Sequence, residues 1–163
     1  MGGDGRQHDG GRADAGAEQS TTDHTLAAAA HMLCCSGAAC TQNASREARE
    51  LETFAADEAD FWPLTAIDPS DALWAAWQLH QPMGGDGYVM YFRRSQNQTA
   101  TFAVPWVGVL ASAKYHLSYR YGYVAEGEQE VAGTTLVAGL QVTLSQPASS
   151  LLVRYTRVTS TDA

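Results

Sequence analysis

The chain has 163 residues, 45% of them hydrophobic, which is enough for one packed domain plus an appendage. Its 18 acidic and 10 basic residues give a formal net charge of −8, which argues against general affinity for nucleic acid or an anionic membrane surface. Most of the acidic residues precede Asp71 and read as a solvated front half rather than a binding patch.

Residues 1–24 are rich in Gly and Asp and hold no large apolar side chain beyond Met1. Such a stretch cannot bury enough surface to offset its chain entropy, and it is expected to be disordered. Thr25–Cys35 carries four consecutive alanines and predicts a short helix. It starts late and follows Asp rather than Lys or Arg, unlike a secretory leader, and it is too short to span a membrane. Cys34, Cys35 and Cys40 are odd in number and lack paired Cys-x2-Cys spacing, so neither a disulfide framework nor a zinc site is expected, even with His24 and His31 nearby. Residues 1–42 are therefore read as one low-complexity segment. The sequence does not fix the compartment.

Residues 45–59 form the strongest helical pattern. Ser45 is the expected N-cap, and Leu51 and Phe54 make a narrow apolar stripe opposite Arg49, Glu52 and Asp57. Asp60-Phe61-Trp62-Pro63-Leu64-Thr65 then hands over to extended chain, because Pro63 lacks a donor and biases Trp62 away from helix. From Asp71 the period becomes two. Leu73, Ala75, Trp77 and Leu79 alternate with Trp74, Ala76, Gln78 and His80. The wholly apolar first set is expected in the core, with Trp77 inward and Trp74 outward. Asp86-Gly87 predicts a hairpin turn, followed by Tyr88–Arg94. Further strands are predicted over Thr99–Val104, Tyr115–Tyr121, Leu140–Leu144 and Leu151–Val158, with an acidic turn around Glu126, Glu128 and Glu130. The expected fold over 60–158 is mainly β, an antiparallel two-sheet β-sandwich preceded by one amphipathic helix.

Asp60–Thr65, Trp74-Ala75-Ala76-Trp77-Gln78 and Gly87-Tyr88-Val89-Met90-Tyr91-Phe92-Arg93-Arg94 resemble, in that order, the C-terminal region of glycoside hydrolase family 36 α-galactosidases. There a similar hexapeptide leaves the last helix of a catalytic barrel, and the next two segments open a β-sandwich. Trp62 stands where the family usually has Tyr. The resemblance spans about residues 45–158. It implies a sandwich domain that packs against a (β/α)8 barrel, with α-galactosides as the substrate class of the parent enzyme.

The chain holds none of the machinery that such an enzyme needs. A retaining glycosidase uses two facing carboxyl groups, which the family carries as aspartates in Trp-Asp-x-Asn and Cys-x-Gly-Gly…Arg-x-Asp motifs on barrel strands. Neither motif occurs here, and a barrel takes roughly 250 residues, far more than precede the helix. No catalytic residue is assigned. Gly-x-Ser-x-Gly, a phosphate loop with Lys and His-Glu-x-x-His are also missing, and no cofactor or metal is expected. Asp57, Glu58 and Asp60 read as solvated turn residues, and His80 and His116 as exposed or capped strand residues. The remaining candidates are aromatic. Trp62, Trp74 and Trp106 are sugar-stacking candidates, in which case the chain acts as a free-standing carbohydrate-binding module. The bland alternative places them in the core and at the seam to a barrel. Asn43-Ala44-Ser45 and Asn97-Gln98-Thr99 match the N-glycosylation pattern.

Overall fold

The computed structural model describes residues 38–159, so residues 1–37, with the helix expected over Thr25–Cys35, lie outside the described residues. The described chain runs α1 (Ala38–Ala56), β1 (Asp60–Pro63), β2 (Trp74–Gln81), β3 (Asp86–Arg93), β4 (Thr101–Val104), β5 (Lys114–Tyr121), β6 (Val124–Ala132), α2 (Gly133–Ala138), β7 (Leu140–Thr143) and β8 (Ser149–Arg157). It is mainly β. Six strands form an antiparallel sheet in the order β1-β2-β3-β8-β5-β6, and β4 and β7 form a second, two-stranded antiparallel sheet.

α1 starts before Ser45 because nothing from Ala38 to Ala44 stops it. That stretch has no Gly or Pro and contains three alanines, so the helix extends back through residues 38–42, and exposed Ser45 sits inside it rather than capping it. It also ends at Ala56, not Ala59. Glu58 adopts a left-handed conformation (φ 61°) that turns the chain into β1, and Gln81 Nε2 donates to the Asp57 carbonyl at 3.1 Å.

The two faces of the large sheet have different covers. On the inner face Trp74, Ala76, Val89, Tyr91, Tyr115, Leu117, Leu151, Val153 and Tyr155 are buried with Leu140, Val142 and Leu144 of the β7 segment and Leu136 of α2. On the outer face Leu79, Tyr88, Met90 and Leu152 are buried, with Leu51 and Phe54 of α1, Trp77 and Phe92 packed against them. The apolar stripe of α1 thus finds its partner within the chain. No helix among the described residues is long and apolar enough to cross a membrane.

This arrangement reverses the expected faces of β2. Trp74 is 8% exposed in the main core, whereas Trp77 is half-buried beneath α1. The polar residues that share a face with Trp74 are the reason for expecting it outward. Gln78 and His80 are instead buried, at 0% and 4% exposure, because each has a hydrogen-bond partner inside. The apolar set of Trp77 lies under a single helix, which covers it incompletely.

Two turn assignments also change. Asp86 and Gly87 belong to β3, paired with Gln81 and His80, so the hairpin loop is the four residues Pro82–Gly85, with Gly85 left-handed at φ 75°. The acidic stretch around Glu126–Glu130 is strand β6. It is an edge, where exposed carboxylates are compatible with pairing on one side and discourage it on the other.

Candidate functional site

Pairing brings the three motif segments together as adjacent strands. Trp62 of β1 lies opposite Gln78 of β2, and Gln78 lies opposite Val89 of β3. On the inner face the side chains converge on a buried polar cluster. Gln78 Nε2 donates to the Val107 carbonyl at 2.9 Å and to Tyr155 Oη at 2.6 Å, and its Oε1 accepts from the Val107 N–H at 2.9 Å. One amide side chain thereby pins the loop between β4 and β5 as a strand neighbour would. Tyr155 Oη lies 2.9 Å from His80 Nδ1. That oxygen accepts from Gln78, and the hydroxyl also donates toward the Leu79 carbonyl at 3.4 Å, so the amide, the imidazole and the backbone of β2 meet at one buried hydroxyl. The His80 ring rests on Gly108, which is left-handed at φ 76° and where any side chain would overlap it.

Burial lowers the His80 pKa from its ordinary value, with the charges of Asp60 and Asp86 opposing that shift and Arg157 adding to it. A lowered folded value means that the unfolded chain binds the proton more readily. The contribution of His80 to stability is therefore present above its unfolded value near 6.5 and is lost as pH falls through the folded value. Urea midpoints are expected to drop between pH 7 and pH 5 by more in the parent than in His80→Gln. Equal drops would show that His80 is not a titrating element of the fold.

The paired arginines that end the third motif are clips. Arg93 is 6% exposed and donates from Nε and Nη2 to the Asn97 carbonyl and from Nη1 to the carbonyls of Leu144 and Ser145. Arg94 Nη1 donates to the carbonyls of Asp68 and Ser70. Each guanidinium satisfies loop carbonyls that no strand reaches. Asn97 is 5% exposed, gives its Nδ2 to the Ala72 carbonyl and accepts the Thr99 N–H. Its side chain is therefore engaged, and the second glycosylation pattern is not presented at the surface.

The three sugar-stacking candidates are not brought together. Trp74 stacks on Phe102 with ring centroids 5.2 Å apart and planes 9° apart, and its Nε1 donates to the Thr99 carbonyl. Trp106, 4% exposed, donates from Nε1 to Tyr91 Oη at 2.7 Å and packs against Tyr155. Both indoles have their N–H satisfied and their faces covered by the core, so the assignment of Trp74 and Trp106 to sugar stacking is corrected. Trp62 alone is exposed, at 41%, on the edge strand. Of the two histidines, His116 is exposed as expected and pairs with Glu128 at 3.3 Å, whereas His80 is interior.

Two carboxylates do have pKa values pushed apart, the pattern of an acid and a nucleophile. Burial raises that of Glu47, and hydrogen bonds from Arg120 lower that of Glu50. They lie one turn apart on α1 and face the sheet, and the Glu50 oxygens are occupied by Arg120 and Tyr88. A groove of about 340 Å³ on α1 is lined, among the described residues, by Thr41, Gln42, Ser45, Arg46 and Arg49, with no carboxylate. No cluster of His, Cys, Asp or Glu suited to a metal ion occurs among the described residues. Sequence reasoning missed Gln78, His80 and Arg93, since polar residues on strands ordinarily signal solvent. No protein-family model matches the chain, and no curated protein matches it.

Proposed function

We propose that this chain is the non-catalytic C-terminal β-sandwich domain of an α-galactosidase-like glycoside hydrolase, docking on a catalytic (β/α)8 barrel that it does not itself contain. The observation that carries the reading is the apolar surface of residues 61–73. Phe61 is 60% exposed, Trp62 41%, Ile67 94% and Leu73 50%, on the edge strand β1 and the loop that follows it. This is the segment that bears the first motif and adjoins the helix that, in the resembling family, ends the barrel. Four large apolar side chains left in water along one edge strand and its loop, with Phe61 and Trp62 on opposite faces of β1, suit contact with a second body. The remaining motif residues support a structural role, since Gln78, Arg93 and Arg94 spend their polar atoms on backbone groups of their own fold.

A free-standing carbohydrate-binding module is the weaker reading. Of its three aromatic contacts only Trp62 is open to a ligand, and one indole on an edge strand makes no platform.

The test mixes the chain with a family 36 α-galactosidase barrel that lacks its own C-terminal sandwich. Sedimentation velocity is expected to show a complex, and Phe61→Ser with Ile67→Ser is expected to abolish it. The chain alone is expected to show no turnover of an aryl α-galactoside. Absence of a complex, or turnover that co-purifies with the chain, would overturn the proposal. Quenching of tryptophan fluorescence by galactose or raffinose, lost in Trp62→Ala, would favour the binding module instead.

A further inference from the structure

The junction between α1 and the outer face of the sheet holds a second feature, independent of any barrel. Its apolar part is small: Leu51 and Phe54 rest on Leu79, Tyr88, Met90 and Leu152, with Phe54 edge-on to Tyr88 at 4.9 Å. Its polar part is unequal. Glu50 accepts from Arg120 Nη1 at 2.7 Å, from Arg120 Nη2 at 3.1 Å and from Tyr88 Oη at 2.7 Å. Glu47, one turn earlier, is 6% exposed and the only acidic residue among the buried described residues; among them no hydrogen bond or ion pair engages its carboxylate, whose oxygens keep slight contact with water. The guanidinium it shares is already taken up by Glu50.

We propose that α1 is a pH-sensitive clasp, seated most firmly when Glu47 is protonated and Glu50 is ionised. A charged Glu47 in this seat keeps little of its water and has Arg120, already bonded to Glu50, and Arg46 as its only nearby opposite charges among the described residues, which favours lifting the helix into water. A neutral Glu47 removes that penalty. A neutral Glu50, by contrast, would forfeit the paired bonds from Arg120 that tie the helix to β5.

The charged and titratable groups around the pair come from each element in contact. Arg120 comes from β5, Arg154 from β8 and the Tyr88 hydroxyl from β3, with Arg46 next to Glu47 on α1 itself. β2 contributes the uncharged Trp77 and Leu79. Arg154 lies over the Tyr88 ring at 5.9 Å, so Arg120 remains the cation nearest to the helix.

The signs follow from the two environments. Burial raises Glu47 above the ordinary value of 4.5, against the pull of Arg120, so its contribution to seating is present below 4.5 and is lost as pH rises through the raised value. Glu50 is held below 4.5 by the Arg120 bonds, so its contribution is present above 4.5 and is lost as pH falls through the lowered value. Seating is therefore firmest in mildly acidic solution and loosens toward neutral pH.

The readout is amide hydrogen exchange of the full chain, as protection factors corrected for the intrinsic pH dependence of exchange. Between pH 5 and pH 8 the protection of amides 47–56 is expected to fall severalfold, at about tenfold for each unit by which the folded chain raises Glu47. Protection in β3 and β8 should change far less. Glu47→Gln, which keeps shape and removes the proton, is expected to hold α1 equally protected at both pH values. Glu50→Gln is expected to lower protection at pH 5 and pH 8 alike, because its loss does not depend on the Glu47 proton. A parent helix whose protection is flat with pH overturns the clasp. So does a Glu47→Gln variant that keeps the parent's full pH dependence.

Discussion

Trp74→Ala is expected to destabilise the chain by about 3–5 kcal/mol, the usual cost of truncating a buried aromatic side chain, and Trp77→Ala by clearly less. Trp74 lies at the meeting of the two sheets. It is 8% exposed, stacks on Phe102 of β4 and ties its indole N–H to the Thr99 carbonyl 3.0 Å away. Removing it leaves a cavity between the sheets and a carbonyl without its donor, two penalties that add. Trp77 is half-buried on the outer face, in contact with Phe61 at 6.1 Å between centroids, and water can fill the space that it leaves. Urea unfolding of the two variants beside the parent checks this, with unchanged m-values confirming two-state comparison. If Trp77→Ala proves the more damaging, the outer face under α1 is the principal core and the inner face is not.

The order of these two tryptophans is also where sequence reasoning stopped. Alternation located β2, β3, β5 and β8 within a residue or two, because period-two patterning is set by the pleat and survives whatever covers the sheet. In β5 the inner face holds Tyr115 and Leu117, whose alternates His116, Ser118 and Arg120 offer no competing apolar set. Which face of β2 is the core depends on a different fact, namely what lies across from it. Trp74, Ala76, Gln78 and His80 look like the wetter set only until the backbone of Val107 and the hydroxyl of Tyr155 are placed beside them. Both partners are distant in sequence, Tyr155 by 77 positions from Gln78, so no local pattern reports them. The same blindness hid β6, whose Glu128 and Glu130 are exposed on an edge strand. It also made Asp86-Gly87 look like a turn when Gly87 is needed inside β3, where the Tyr155 ring and the Leu79 carbonyl leave no room for a Cβ. For the candidate site, Asp60–Thr65 was legible as motif and Trp62 as a surface candidate, whereas Ile67 and Leu73 belong to no motif. Their exposure was not legible, because an apolar residue in a sequence looks the same whether it faces a core or a partner.

Arg93→Met is expected to cost at least about 3 kcal/mol, whereas Arg94→Met, one residue on, is expected to cost clearly less. The two arginines are equivalent in sequence and unequal in burial. Arg93 is 6% exposed, and its fork spans two loops: Nε and Nη2 reach the Asn97 carbonyl at 3.2 and 2.9 Å, and Nη1 reaches those of Leu144 and Ser145 at 2.7 and 2.8 Å. Methionine fills most of the volume and offers no donor. The carbonyls are then left short of partners in a place that water reaches poorly, at about 1–3 kcal/mol each. Arg94 is half-buried, and the carbonyls of Asp68 and Ser70 that it serves lie in a loop where solvent can take its place. Arg93→Lys separates charge from geometry. An ammonium carries the same charge, but its three donors radiate from one atom and cannot span from residue 97 to residues 144 and 145, so lysine is expected to recover little of the loss. Urea midpoints of Arg93→Met, Arg93→Lys and Arg94→Met against the parent decide it. A lysine variant close to the parent would mean that the charge at position 93, not the fork, holds the two loops. A mild Arg93→Met would mean that the loops find their own partners without it.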